Sequence, residues 1–223
     1  ETTDKPYRHC GMDCLVNTKK RVAMNDQATN EIGMPRPAVF LDRDGTITEH
    51  VGYITNSSQI QLVAGAADFV RKLRDFGFAC ILVTNQSAIG RGMLMLDQLE
   101  EIHEELKRQL RSSGTELDGI YFAPHKPCQM DETVIECPDR KPGHGMLVQA
   151  AAELNLDLPN SWMIGDRISD VLAGLNAGCR SIRVRTGFTY QDSLPLCEDN
   201  YETVDTLQDA LRCVLHESLT GRS

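Results

Sequence analysis

Phe40-Leu41-Asp42-Arg43-Asp44-Gly45-Thr46 is an apolar run that breaks off into two carboxylates, two positions apart, and a glycine. Upstream, Pro37 to Leu41 is continuously apolar and ends in a polar turn, the pattern of a short strand buried on both faces. Residues i and i+2 of an extended segment point to the same side, so Asp42 and Asp44 can serve one site. Carboxylates held that close repel, and a cation or a shared proton relieves the repulsion. A divalent metal is the expectation. Taken alone, Asp-Gly can also mark no more than a tight turn, with Asp44 and Gly45 at positive φ.

Three further segments end in the same way. Ala79 to Val83 is apolar and stops at Thr84-Asn85-Gln86-Ser87, where Thr84 or Ser87 can also be a helix cap. Arg140-Lys141-Pro142-Gly143 precedes a helical pattern of Met146, Leu147, Ala150 and Leu154. Trp162-Met163-Ile164 runs into Gly165-Asp166-Arg167-Ile168-Ser169-Asp170, and Asp170 can cap a helix that continues to Ala177. Helical spacing recurs over Ala67 to Phe76, Leu96 to Leu110 and Leu207 to Leu215, and short strands over Gly119 to Phe122, Ser181 to Val184 and Thr203-Val204. This alternation predicts an α/β fold, a three-layer Rossmann-like parallel sheet with helices on both faces. Ligands of such sheets bind beyond the carboxyl ends of the strands, and Asp42, Thr84 and Asp166 all fall at that edge.

In this order the four segments resemble the four signature motifs of the haloacid dehalogenase superfamily of phosphohydrolases, from about Met34 to about Leu215. A narrower run resembles the D-glycero-D-manno-heptose 1,7-bisphosphate phosphatases and the related histidinol-phosphate phosphatases. It consists of Phe40 to Ile47, Gly52-Tyr53, Val83 to Ser87, Ile89, Arg91-Gly92, Asp118 to Tyr121, Arg140-Lys141-Pro142 and Gly145-Met146. The resemblance implies a Mg²⁺-dependent phosphatase in which Asp42 is the nucleophile and Asp44 the general acid and then base. It assigns the metal to Asp42, Asp166 and the backbone carbonyl of Asp44, with Asp170 in support. Thr84 and Lys141 would stabilise the transferring group. Substrate contacts are implied for Arg43 and for the loop His50, Val51, Gly52 and Tyr53. Asn85, Gln86, Ser87, Arg140 and Arg167 join them. Arginine presents a rigid fork suited to phosphate or sugar oxygens, although Arg167 can equally form an ion pair with Asp170.

Relatives often hold a structural zinc in the loop before Lys141 through a Cys-x-His and a Cys-x-Cys pair. Here the matching positions read Ala123-Pro124-His125 and Cys137-Pro138-Asp139, so two of the four ligands are replaced. His125, Cys128 and Cys137, with Asp139 as a fourth donor, would form a rearranged tetrahedral zinc site if Cys128 shifts into place; a metal-free loop is the alternative.

The 223 residues carry a formal charge of −9, which disfavours a nucleic-acid or anionic-membrane partner. No apolar stretch approaches the length of a bilayer span, and no signal-peptide pattern opens the chain. The eight cysteines, several in apolar contexts, fit a reduced protein. A cytoplasmic monomer acting on a small phosphorylated molecule is expected. Residues 1–36 are polar and lack sustained periodicity, so a disordered extension is expected there; its Cys10 and Cys14 could be half a metal site, but such pairs are more often incidental. The phosphatase domain is expected over 37–218, without a separate cap domain, because only loops fit between Thr46 and Ala64 and between Ala123 and Lys141. Histidinol phosphate is the nearest alternative substrate. A polynucleotide 3′-phosphatase shares the same motifs but favours a basic groove. A non-enzymatic scaffold usually lacks an acid or the lysine, and all of them are present here.

Overall fold

In the computed structural model, β1 (Ala38–Leu41) is buried along its whole length. The structure describes residues 34–187 and 201–220; the expected extension, apart from residues 34–36, and the Cys10–Cys14 pair lie outside the described residues. Side chains of β1 alternate between two cores, Val39 and Leu41 on one face of the sheet and Ala38 and Phe40 on the other. Five more strands complete the sheet: β2 (Ala79–Asn85), β3 (Gly119–Ala123), β4 (Trp162–Gly165), β5 (Arg180–Val184) and β6 (Glu202–Val204). Their order is β3-β2-β1-β4-β5-β6, and every pairing is parallel.

Helices cover both faces, as the alternation predicts. Against Leu41, Leu82 and Ile164 pack α1 (Ala66–Asp75), α3 (Leu96–Ser112) and α6 (Leu207–Thr220), through Leu73, Leu106 and Leu211 among others. Against Phe40, Ile81 and Met163 packs α4 (Gly145–Leu154), through Met146, Leu147 and Ala150, and Ala173 of α5 (Ile168–Asn176) joins the same core. Fully burying each such large side chain contributes roughly 1.5–3 kcal/mol, so the apolar stripes suffice to dock the helices.

One strand boundary differs from the sequence reading. β2 does not stop at Val83, because β3 runs alongside it and pairs Thr84 with Phe122 and Asn85 with Ala123. Thr84 is therefore a strand residue and not a helix cap; the short helix α2 (Ser87–Gly90) begins after it.

The chain leaves β1 toward β2 and β3, then crosses back to β4 on the other side. This reversal opens a crevice at the carboxyl ends of β1 and β4, where ligands of such sheets bind. Segments 46–65 and 124–144 border it with a 3-10 turn (Ser57–Gln59), isolated bridges and loops. No helix among the described residues is long and apolar enough to cross a membrane.

Candidate active site

Asp42 is the first residue beyond β1, and its N–H donates to Ile164 O at 3.0 Å, which ties the strand end to β4. The chain then turns at once, with the N–H groups of Ile47 and Thr48 donating to Arg43 O at 3.2 and 2.9 Å. Gly45 has φ +87°, whereas Asp44 keeps a negative φ, so the Asp-Gly turn needs only its glycine. Space demands that glycine as well: a methyl group there would lie 2.6 Å from Asp166 Oδ2 and 2.9 Å from Gly187 Cα.

Asp166 follows β4, and Asp170 lies in the first turn of α5. Asp42, Asp166 and Asp170 are all buried and offer carboxylate oxygens within 4.8 Å of one another. Lys141 Nζ enters this cluster at 2.6 Å from Asp42 Oδ1, 2.6 Å from Asp170 Oδ1 and 2.8 Å from Val83 O. Three carboxylates against one ammonium leave the pocket short of positive charge. Burial, reinforced by Asp170, Asp166 and Asp44, pushes the Asp42 carboxyl up to about 8 against the pull of Lys141. Burial alone would depress Lys141, yet Asp170 and Asp42 together hold it above the ordinary lysine value. Both shifts have one meaning, that the cluster attracts protons or cations.

Asn85 positions Lys141 from behind. Its side-chain amide donates to Lys141 O at 3.0 Å and accepts from Lys141 N at 3.1 Å, beside a cis Lys141–Pro142 bond. Asn176, which the sequence reading did not single out, donates to Pro142 O at 3.0 Å. The Asp44 carboxylate lies outside the three-acid cluster. Arg43 Nε and Nη2 hold its two oxygens at 2.9 Å each, and Gln86 Nε2 donates to Oδ2 at 3.1 Å.

The residues expected to contact substrate differ in their placement. Arg43 is wholly buried, its guanidinium taken up by Asp44, Gln86 and His103. The side chains of Asn85 and Gln86 are likewise engaged within the protein. Arg167 pairs with Glu132 and not with Asp170, which instead accepts the Arg167 backbone N–H at 2.9 Å. Val51, Gly52 and Tyr53 are exposed and His50 half-buried, with Arg91 5.9 Å above the Tyr53 ring. Arg140 donates to His125 O at 2.8 Å, and Ser87 opens α2. Among the described residues the group of potential metal ligands within 4.8 Å of one another is the aspartate triad, and His125, Cys128, Cys137 and Asp139 are not gathered into such a group.

Two further contributors escaped the sequence reading. Thr186-Gly187 follows β5, so its place at a strand end was a usable signal. Thr186 Oγ1 donates to Gly45 O at 2.7 Å, and a methyl group on Gly187 would fall 2.1 Å from Asp166 Oδ2. His103 sits on the buried stripe of α3 between Leu99 and Leu106, where only its polarity among apolar neighbours marks it.

A doubly wound parallel sheet with this acidic crevice is the arrangement of the haloacid dehalogenase-like hydrolases, and residues 139–210 match the family model described as HAD-hydrolase-like. The D-glycero-beta-D-manno-heptose-1,7-bisphosphate 7-phosphatase of Yersinia pestis is 46% identical over 156 residues, 68% of this chain and 81% of that protein. The D-glycero-D-manno-heptose-1,7-bisphosphate 7-phosphatase of Thermosynechococcus vestitus is 43% identical over 160 residues, 70% of this chain and 82% of that protein. The crystal structure of D,D-heptose 1,7-bisphosphate phosphatase from B. bronchiseptica, complexed with magnesium and phosphate, superposes with a TM-score of 0.70 at 27% identity, covering 81% of this chain and 99% of that one. The chain belongs to this heptose bisphosphate phosphatase family.

Proposed function

We propose that the protein removes the 7-phosphate of D-glycero-D-manno-heptose 1,7-bisphosphate through an aspartyl phosphate on Asp42, with Mg²⁺ as cofactor. The observation that carries this reading is the placement of Asp42 at the strand-end crevice, its Oδ1 fixed 2.6 Å from Lys141 Nζ and its carboxylate beside those of Asp166 and Asp170. Oxygen donors in excess negative charge suit Mg²⁺, which prefers carboxylates and keeps several waters. Asp42 and Asp166, with the backbone carbonyl of Asp44, would hold it. When bound, it would offset charge on the phosphoryl oxygens. Asp170 fits a supporting place, since Lys141 engages one of its oxygens and the Arg167 N–H the other.

A phosphate monoester resists attack because its oxygens are anionic and its leaving alkoxide is poor. An Asp42 oxygen attacks phosphorus in line with the ester oxygen, the ester P–O bond breaks, and Asp44 gives its carboxylic proton to the departing alkoxide. Water then attacks the aspartyl phosphate while Asp44 takes its proton, and the Asp42–phosphorus bond breaks to release phosphate. An ammonium has three donors, and all those of Lys141 are engaged, by Asp42, Asp170 and Val83 O. Lys141 therefore orients the nucleophile first, and it must release one of these partners to donate to a phosphoryl oxygen. The exposed loop from Val51 to Tyr53 and the side chain of Arg140 are the groups left to contact the sugar.

Cys80 and Cys179, buried in the apolar core as thiols, support a reducing, cytoplasmic setting. The experiment is a substrate panel with phosphate release and product position as readouts. Heptose 1,7-bisphosphate is expected to yield the 1-phosphate at the highest kcat/KM. Preference for histidinol phosphate, or for a 3′-phosphorylated oligonucleotide, would overturn the choice of substrate.

A further inference from the structure

Behind Asp44 lies a buried polar unit to which the mechanism above gives no task. Arg43, wholly buried, grips both Asp44 oxygens at 2.9 Å and donates from Nη2 to Gln86 Oε1, also at 2.9 Å. The other end of the Gln86 amide donates to Asp44 Oδ2 at 3.1 Å and to Thr84 Oγ1 at 2.8 Å. The third arm of the guanidinium, Nη1, lies 3.4 Å from His103 Nε2. Burial, with the charges of Arg43 and Lys107, pulls the His103 pKa down to about 3, so its ring is neutral and Nε2 is free to accept.

A buried guanidinium needs its partners, and two of the three residues that bind this one, Asp44 and Gln86, lead back to the reacting centre. The bidentate grip fixes both position and rotation of the Asp44 carboxylate, which a single hydrogen bond would not do. Because Gln86 donates to Thr84 Oγ1, the threonine keeps its own hydroxyl proton to donate to another acceptor. We infer that Arg43, backed by His103 and coupled through Gln86, is a positioning residue that aims the acid/base Asp44 and the donor Thr84 at the same phosphoryl group. It touches neither substrate nor metal. This inference rests on the phosphatase reading.

Its signature is dependence on the leaving group. An alkoxide needs the Asp44 proton to depart, whereas p-nitrophenolate does not, and kcat/KM reports only the steps up to formation of the aspartyl phosphate. For Arg43→Met, kcat/KM on an alkyl ester such as glycerol 3-phosphate is expected to fall about 10²- to 10³-fold, the scale of general acid catalysis, and on p-nitrophenyl phosphate less than about tenfold. Arg43→Lys keeps the buried cation but loses the fork, so it retains the fold if the methionine variant does not, and the same selective loss is expected in smaller measure. Equal losses on the two esters in the folded variants, or no loss on either, would overturn the positioning role. A wild-type protein inactive on both esters would sink the phosphatase reading, and this inference with it.

Discussion

Two regions of the molecule carry the same kinds of residue and treat them differently. At the carboxyl edge of the sheet, Asp42 comes from a distant point of the chain to meet Asp166 and Asp170 within 4.8 Å. In the loop 124–140, His125, Cys128, Cys137 and Asp139 are near in sequence and do not gather within that distance. What separates them is the ladder. Leu41 stands opposite Ile164 in the parallel pair β1–β4, so Asp42 and Asp166 lie just beyond positions that backbone hydrogen bonds hold about 4.8 Å apart. In the loop, local turns decide the path: Cys128 N–H donates to Glu136 Oε2 at 2.8 Å, and Arg140 to His125 O at 2.8 Å.

Removing the nucleophile from the edge tests the comparison most severely. Asp42→Asn keeps the size and the strand but lacks the charge that attacks phosphorus. Turnover is expected to fall by at least about 10⁴-fold with the far-ultraviolet circular dichroism unchanged. Wild-type protein quenched with acid during turnover should carry a phosphoryl group by mass spectrometry, and the variant should not. Near-normal rates in Asp42→Asn would break the covalent mechanism.

Lys141→Met comes next. The ammonium holds Asp42 and Asp170 together, and its loss leaves two buried carboxyl groups facing each other with no cation between them. A decrease of about 10²- to 10³-fold in kcat is expected, the scale seen when one preorganised donor is removed. Breaking a buried pair also costs about 3–5 kcal/mol, so the melting temperature should fall, and Mg²⁺ should restore part of it. A variant that loses activity at full stability would show that Lys141 acts on the phosphoryl group alone and has no share in holding the acids.

How far the site was legible before the fold was known follows the same division. Strand ends were readable because an apolar run that stops at polar residues marks the end of a buried strand, and Asp42 and Asp166 were placed at such ends; Thr84 was placed there too, although β2 continues to Asn85. Asp170 was read as a cap or a support, and it is both: it accepts the Arg167 N–H and the Lys141 ammonium. The partner of Arg167 was not readable, because Glu132 reaches it from a loop whose course no periodicity announces. Nor was the burial of Arg43. The resemblance implied a substrate contact for it, and only the fold, which brings His103 of α3 to 3.4 Å from its guanidinium, shows it buried.

A third prediction concerns protons. The Asp42 carboxyl ordinarily titrates near 3.8 and is raised to about 8, first by burial, so in the ion-free protein at pH 7 it holds a proton. The folded state then binds more protons than the unfolded chain between those values, and this contribution to stability is present at low pH and lost as pH rises through about 8. Mg²⁺ needs the carboxylate and must expel that proton. Titration calorimetry in buffers of different ionisation enthalpy should show proton release on Mg²⁺ binding at pH 7 and almost none at pH 9. Apparent affinity should rise up to about tenfold per pH unit before levelling. An affinity independent of pH would mean that the acids are already ionised and that their repulsion is relieved by other means.

The smallest effect belongs to the loop. Cys128 is exposed and Cys137 buried. A zinc ligand cannot be exchanged for serine without losing metal, and a structural zinc contributes directly to folding. An exposed thiol that ligates no metal can be exchanged at little cost. Cys128→Ser is therefore expected to change stability by no more than about 0.5 kcal/mol, measured by urea denaturation, and to leave kcat unchanged. Zinc in the purified wild-type protein, measured by mass spectrometry, should be well below one equivalent. A large destabilisation together with stoichiometric zinc would mean that the metal draws His125, Cys128, Cys137 and Asp139 together against the turns that part them here. The loop would then owe its geometry to a ligand, where the sheet edge owes its own to the backbone.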